Sequence, residues 1–115
     1  MKLLDGSDFD FLEFSKALEG RNLQAVWWST ESMAETYCLR EKHFFMLFEK
    51  LLEDNLIKLA KKGVFLNGTV AEQIERFRQV FPKTEDEMED GLWFFDETCP
   101  GGAVWVLEDG SLEWT

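Results

Sequence analysis

The chemically capable side chains of this chain are chiefly its carboxylates. Ten of them (Glu85, Asp86, Glu87, Glu89, Asp90, Asp96, Glu97, Glu108, Asp109 and Glu113) fall within residues 84–115, with no lysine or arginine among them. Carboxylates can hold a hard cation, act as general acid and base, or receive a basic partner. The first two uses need spacings or companions that this segment lacks. A calcium loop requires Asp-x-Asp-x-Asp-Gly with a glutamate beyond it, and the nearest run, Asp86 to Gly91, puts Met88 at the third position. Acid–base or nucleophilic chemistry requires a partner group, yet the sole histidine, His43, lies between Lys42 and Phe44 and is read as an ordinary, partly exposed helix residue. No nucleophile motif surrounds Ser7, Ser15, Ser29, Ser32 or Cys38. Two cysteines and one histidine cannot fill a tetrahedral zinc site without carboxylates, and Cys38 and Cys99 are expected as free thiols. The glycine turns Asn67-Gly68 and Pro100-Gly101-Gly102 lack the lysine or the frame of a phosphate loop. The sequence therefore predicts no catalytic residue, no metal and no cofactor.

The remaining use is docking. The first 83 residues carry thirteen acids and twelve bases, so the net charge of -11 divides into -1 and -10. Acids in the first turn of a helix are stabilising, which accounts for Glu85 to Glu87 and leaves Glu89 and Asp90 at the negative end of that turn. The segment also carries Leu92, Trp93, Phe94, Phe95, Val104, Trp105, Val106 and Trp114, so it is folded rather than a loose tail. It represents roughly a quarter of a surface of about 6,500 Å², more than one partner's share of a standard interface. A basic protein partner would be steered and paired by Glu85, Asp86, Glu89, Asp90, Asp96, Glu97, Glu108, Asp109 and Glu113, with Trp93 or Trp114 as apolar anchors. The plain alternative is a solvated acidic surface with the aromatics in the core. Nucleic acid is not expected as a partner, because phosphate binding needs clustered lysine and arginine. No apolar run approaches a membrane span, and the amino terminus lacks the apolar stretch of a signal peptide, so a cytoplasmic location is expected.

Capping and periodicity give the scaffold on which these side chains sit. One domain spans 1–115, of a size that buries about two thirds of its surface. Ser7-Asp8 predicts a helix start, with Gly20 the stop. Ala25 to Trp28 fits a strand or a connector equally well. Thr30 is a cap for a helix over Glu31 to Lys62, where apolar residues from Met33 to Leu59 recur at three- and four-residue steps. At 1.5 Å per residue that helix would be about 48 Å long, against a radius of gyration near 13 Å, so either a break around Leu39 to Lys42 or a long projecting helix is expected. Lys42 to Lys62 is its firmest part, with Lys58, Lys61 and Lys62 at the carboxyl end and Asp54–Lys58 as an i,i+4 pair. Thr69 to Glu72 and Thr84 to Glu87 are capping boxes. Leu92 to Glu97 reads as β-prone. Asp109-Gly110 predicts a two-residue type I′ hairpin that pairs Trp105 with Trp114 and packs Trp105, Leu107, Leu112 and Trp114 on the helices. The architecture is α+β: N-terminal helices, one of them long, on a small C-terminal antiparallel sheet with a terminal hairpin.

The segments Asn67-Gly-Thr-Val-Ala-Glu-Gln-Ile-Glu75, Leu92-Trp-Phe-Phe-Asp96 and Pro100-Gly-Gly-Ala-Val-Trp105 resemble a family of short, uncharacterised bacterial proteins. The resemblance covers about half of the chain and supplies no catalytic residue. In size and charge alone the chain is also similar to the immunity proteins of bacterial toxin–immunity pairs. That resemblance implies a non-enzymatic inhibitor of a basic toxin such as a nuclease. The alternatives are a homo-oligomeric structural or adaptor protein, such as a homodimer through its near-neutral helical half, and a small enzyme or ligand-binding domain with a site of acids and tryptophan.

Overall fold

The computed structural model describes residues 1–115. Its order is α1 (Phe11–Leu18), α2 (Leu23–Ser29), a 3₁₀ turn Glu31–Met33, α3 (Tyr37–Glu53), β1 (Ile57–Lys61), β2 (Val64–Phe65), α4 (Val70–Val80), α5 (Glu85–Met88), a 3₁₀ segment Glu89–Phe95, β3 (Gly102–Val106) and β4 (Leu112–Trp114). The fold is α+β, as the helix and strand patterning implies, with one antiparallel sheet in the order β2-β1-β3-β4. Its radius of gyration is 13.6 Å, so the helix over Glu31 to Lys62 does have to break.

It breaks twice, and neither break is at Leu39 to Lys42. Thr36, not Thr30, caps α3 by accepting the Leu39 N–H at 3.2 Å. Thr30 is buried and donates instead to the Trp27 carbonyl at 2.6 Å. At the other end Asn55 takes a left-handed φ of 58°. The Leu56 N–H then closes on the Leu51 carbonyl (3.0 Å) and the Asn55 N–H on that of Leu52 (3.1 Å), the two bonds of a Schellman stop. Beyond this stop the chain is extended. Lys58 and Lys61 belong to β1, and the i,i+4 ion pair is Lys50–Asp54 at 3.1 Å rather than Asp54–Lys58.

The amino-terminal helix starts later than Ser7, because Asp10 is its cap. Residues 1–9 make a small hairpin whose Asp5 carboxylate takes both the N–H and the hydroxyl of Ser7. The second Asp-Gly-Ser in the chain does the same: Asp109 takes both groups of Ser111. In each, the amide before the turn bonds the serine carbonyl (Leu3 to Ser7, 3.0 Å; Leu107 to Ser111, 2.8 Å), which closes a three-residue loop. Only Gly6 and Gly110 are left-handed there, whereas type I′ needs two such residues. The two-residue type I′ geometry occurs instead between β1 and β2, at Lys62 (φ 52°) and Gly63 (φ 79°).

The longer loop slips the terminal hairpin by one residue from the expected register. Trp105 pairs with Glu113 and Val104 with Trp114. A one-residue slip moves alternate side chains to the other face. Ile57, Leu59, Ala103 and Trp105 therefore pack against the helices, with the Trp105 indole donating to the Arg21 carbonyl at 2.7 Å. Trp114 lies on the opposite face, with its ring 5.2 Å from that of Phe65.

The core joins 23 residues from helices and sheet, including Trp27, Phe44, Phe48, Phe77, Phe81 and Trp105. Ala25 to Trp28 lies within α2, capped by Asn22. His43 is fully buried, contrary to its expected partial exposure, and neither ring nitrogen has a hydrogen-bond partner. Leu92 to Glu97 is not a strand; it runs through the 3₁₀ segment and its exit.

Candidate functional site

The acids that are continuous in sequence separate in space. Asp96 and Glu97 lie at one end of the sheet, where Lys61 Nζ donates to the Glu97 carbonyl at 2.5 Å and Lys62 pairs with the Glu97 carboxylate at 3.7 Å. Glu108 and Asp109 occupy the hairpin loop at the other end of β3, and Glu113 lies on β4 against Gly20. Serine hydrogen bonds hold the Asp109 carboxyl below its ordinary 3.8. Trp93 is 8% exposed, packs edge-on to Phe81 and Phe94, and donates its indole N–H to Thr98, so it is too buried to anchor a partner. Trp114 is 50% exposed on the sheet, apart from α5.

Of the remaining five, Glu85, Asp86, Glu89 and Asp90 come together. Thr84 caps α5 by accepting the Glu87 N–H. The capping box is half formed, since Glu87 takes the Lys83 N–H at 3.3 Å rather than that of Thr84. Met88 is buried, and the chain reverses through three left-handed residues, Glu89 (φ 51°), Asp90 (φ 54°) and Gly91 (φ 88°). Two donors from α2 hold this reversal: Gln24 Nε2 and Trp28 Nε1 both reach the Asp90 carbonyl, at 3.2 and 2.9 Å. A Cβ on Gly91 would lie 2.6 Å from the Gln24 side chain, so only glycine permits the approach.

The result is a cleft of about 450 Å³ lined by Glu31, Glu85, Asp86, Glu89 and Asp90 over Trp27, Met88 and Arg40. Arg40 is the one base in its lining. Its guanidinium stacks 4.0 Å from the Trp27 ring and donates to Thr30 Oγ1 (3.0 Å) and the Trp27 carbonyl (2.9 Å). Desolvation lowers its pKa, opposed by Glu31, Glu85 and Asp90. None of the cleft's carboxylates is in an ion pair, so their charge faces solvent.

Beside the cleft are apolar residues that the sequence reading did not single out. Leu92 (57% exposed) and Phe95 (62%) are three apart in the 3₁₀ segment and eclipse on its outer side. Trp28 (42% exposed) reaches the same segment from α2. α2, α5 and the 3₁₀ segment contain no lysine or arginine. The i,i+3 spacing of Leu92 and Phe95 was the available signal, hidden by reading the segment as a strand.

Other reactive groups lie elsewhere. Both cysteines are free; Cys38 is exposed, and burial pushes the Cys99 thiol up to about 11. No group of three or more His, Cys, Asp or Glu side chains is arranged to hold a metal, and no helix is long and apolar enough to cross a membrane.

A family model described as "Protein of unknown function, DUF596" matches residues 52–115. The chain belongs to that family. The match covers α4, α5, the 3₁₀ segment and the whole sheet, and so includes most of the cleft. Among solved structures, an uncharacterised protein conserved in bacteria, from Neisseria meningitidis, is 30% identical with a TM-score of 0.79, over 90% of this chain and 83% of that one. No curated protein matches.

Proposed function

We propose that this is a non-enzymatic protein-binding domain that docks a basic partner on the surface formed by α2, α5 and the 3₁₀ segment. The observation that carries the reading is the exposed Trp28, Leu92 and Phe95 beside carboxylates that have no ion-pair partner. Their exposed apolar area is on the order of 300 Å², the size of a functional patch on a monomer and short of a full interface. In this reading they are the dry centre of the contact. Glu85, Asp86, Glu89 and Asp90 form a charged rim that speeds encounter and rejects acidic partners. The more specific form of the proposal is an immunity or inhibitor protein, cytoplasmic, whose partner is a basic toxin domain such as a nuclease. The hairpin acids Glu108, Asp109 and Glu113 then contribute long-range steering rather than contact.

The test is capture from the lysate of the native cell with three baits: wild type, Glu85→Lys/Asp86→Lys/Glu89→Lys/Asp90→Lys, and Glu108→Lys/Asp109→Lys/Glu113→Lys. The expected result is a basic partner retained at low salt by the wild type and the hairpin variant, and lost by the cleft variant. Equal retention by all three folded baits overturns the assignment.

A further inference from the structure

A second cleft has the opposite character. β2 is only two residues long, so after the Leu66 N–H bonds the Leu59 carbonyl at 2.9 Å the edge of β1 is left open. A groove of about 290 Å³ occupies the gap between that edge, β2 and the start of α4. Six of its nine lining residues are apolar, and its floor includes Ile57 and Leu59, both nearly inaccessible from outside. In a chain with 23 acids and 12 bases, no acid lines this groove, and its one ionisable residue is Lys58.

Lys58 Nζ lies 5.5 Å from the Phe65 ring at the groove wall and belongs to none of the ion pairs. The backbone adds a donor. The Val106 N–H bonds the Leu56 carbonyl, so the β1 residues bonded to β3 are Leu56, Lys58 and Ala60. Strand alternation turns the N–H of Ile57 to the groove side. An ammonium and an amide N–H thus border an apolar slot. The volume is that of on the order of ten waters, which suits a compact ligand rather than a drug-sized one.

We propose that this groove binds a small apolar carboxylate, a flat aromatic or short-chain acid. Its hydrocarbon part sits at the strand edge between Phe65, Leu66 and Val70, above the buried Ile57 and Leu59, and its carboxylate meets Lys58. The groove shares no residue with the acidic cleft, so the two proposals stand or fall separately.

The probe is 2-naphthoate, titrated into the full chain while the methyl resonances of Ile57, Leu59 and Leu66 are followed by NMR. Saturable shifts at these methyls are expected, weakened about tenfold by Lys58→Met, the loss of one charge-assisted contact, and absent in the groove-filling Val70→Trp. Lys58 is exposed, so its removal leaves folding intact, and both variants are checked by circular dichroism. Four outcomes overturn the proposal: no saturable shift at millimolar ligand, equal binding by Lys58→Met, equal binding of neutral 2-naphthylmethanol, or concentration-dependent broadening of these methyls without ligand, which would mark a second copy as the occupant.

Discussion

Replacing Arg40 with methionine separates two roles of its guanidinium: a clamp on α2, through Thr30 and the Trp27 carbonyl, and a counter-charge to the carboxylates of the cleft. Methionine keeps the stem packing and removes the guanidinium, and with it hydrogen bonds of 3.0 Å to Thr30 and 2.9 Å to the Trp27 carbonyl and the stacking at 4.0 Å on Trp27. Two bonds from a charged donor are worth about 1.5 kcal/mol each at the low end, and the cation–π contact adds about 0.5 kcal/mol. Against this, the guanidinium no longer has to be partly desolvated. The Trp27 carbonyl also keeps the Thr30 N–H at 3.0 Å and its hydroxyl at 2.6 Å, so no acceptor is orphaned. The net expectation is a loss of about 2 kcal/mol, read as a urea midpoint lowered by about 1 M. The counter-charge role adds a signature. Without Arg40 the carboxylates of Glu31, Glu85 and Asp90 repel one another unopposed, so the loss grows at low ionic strength, where screening is weak. Urea unfolding followed by tryptophan fluorescence at low and at molar salt measures both. A loss below about 0.5 kcal/mol refutes the clamp, and a loss independent of salt refutes the counter-charge.

Asn55→Val, which puts a β-branched residue at a left-handed helix stop, costs about 1–2 kcal/mol in urea unfolding, whereas Asn55→Gly is close to neutral. His43→Leu replaces a buried ring without polar partners by an apolar side chain and raises stability by about 1 kcal/mol; a loss of that size would mean that the ring nitrogens are bonded. Asp5 and Asp109 have folded-state pKa values below the ordinary 3.8, so they bind fewer protons folded than unfolded. Their stabilisation is complete above that value and lost as pH falls through the folded pKa. An Asp5→Asn/Asp109→Asn variant should therefore show a shallower loss of stability below pH 3.8 than the wild type, and parallel curves would contradict the serine bonds.

The α+β class, the Thr69 cap of α4 and the Thr84 cap of α5 were legible in the sequence because each rests on local chemistry. Two of the errors share one cause, a periodic or turn signal overridden by local backbone conformation. Leu59 continues the helical spacing of Leu52, yet Asn55 ends the helix, and an asparagine just past a helical run is itself a stop signal. Asp109-Gly110 matches a type I′ turn, but the Asp109 side chain captures Ser111 and lengthens the loop, which flips Trp114 to the outer face. For the site, sequence proximity grouped ten acids that the fold divides, and the bases answering them, Arg40, Lys61 and Lys62, come from the near-neutral half. Trp28 could not be assigned, because α2 is short and buried on most sides and so carries no clear period.

A basic partner held at the acids beside Trp28, Leu92 and Phe95 leaves a different footprint from one held by the acidic carboxyl-terminal region at large. Amide and indole NMR shifts on adding an amphipathic Lys/Leu helical peptide distinguish the two. Docking at the cleft predicts perturbations at the Trp28 indole, Glu89, Asp90, Leu92 and Phe95 that fade with salt and vanish in Glu89→Lys/Asp90→Lys. Perturbations centred on the Glu108 to Glu113 hairpin, or unchanged in that variant, would contradict it.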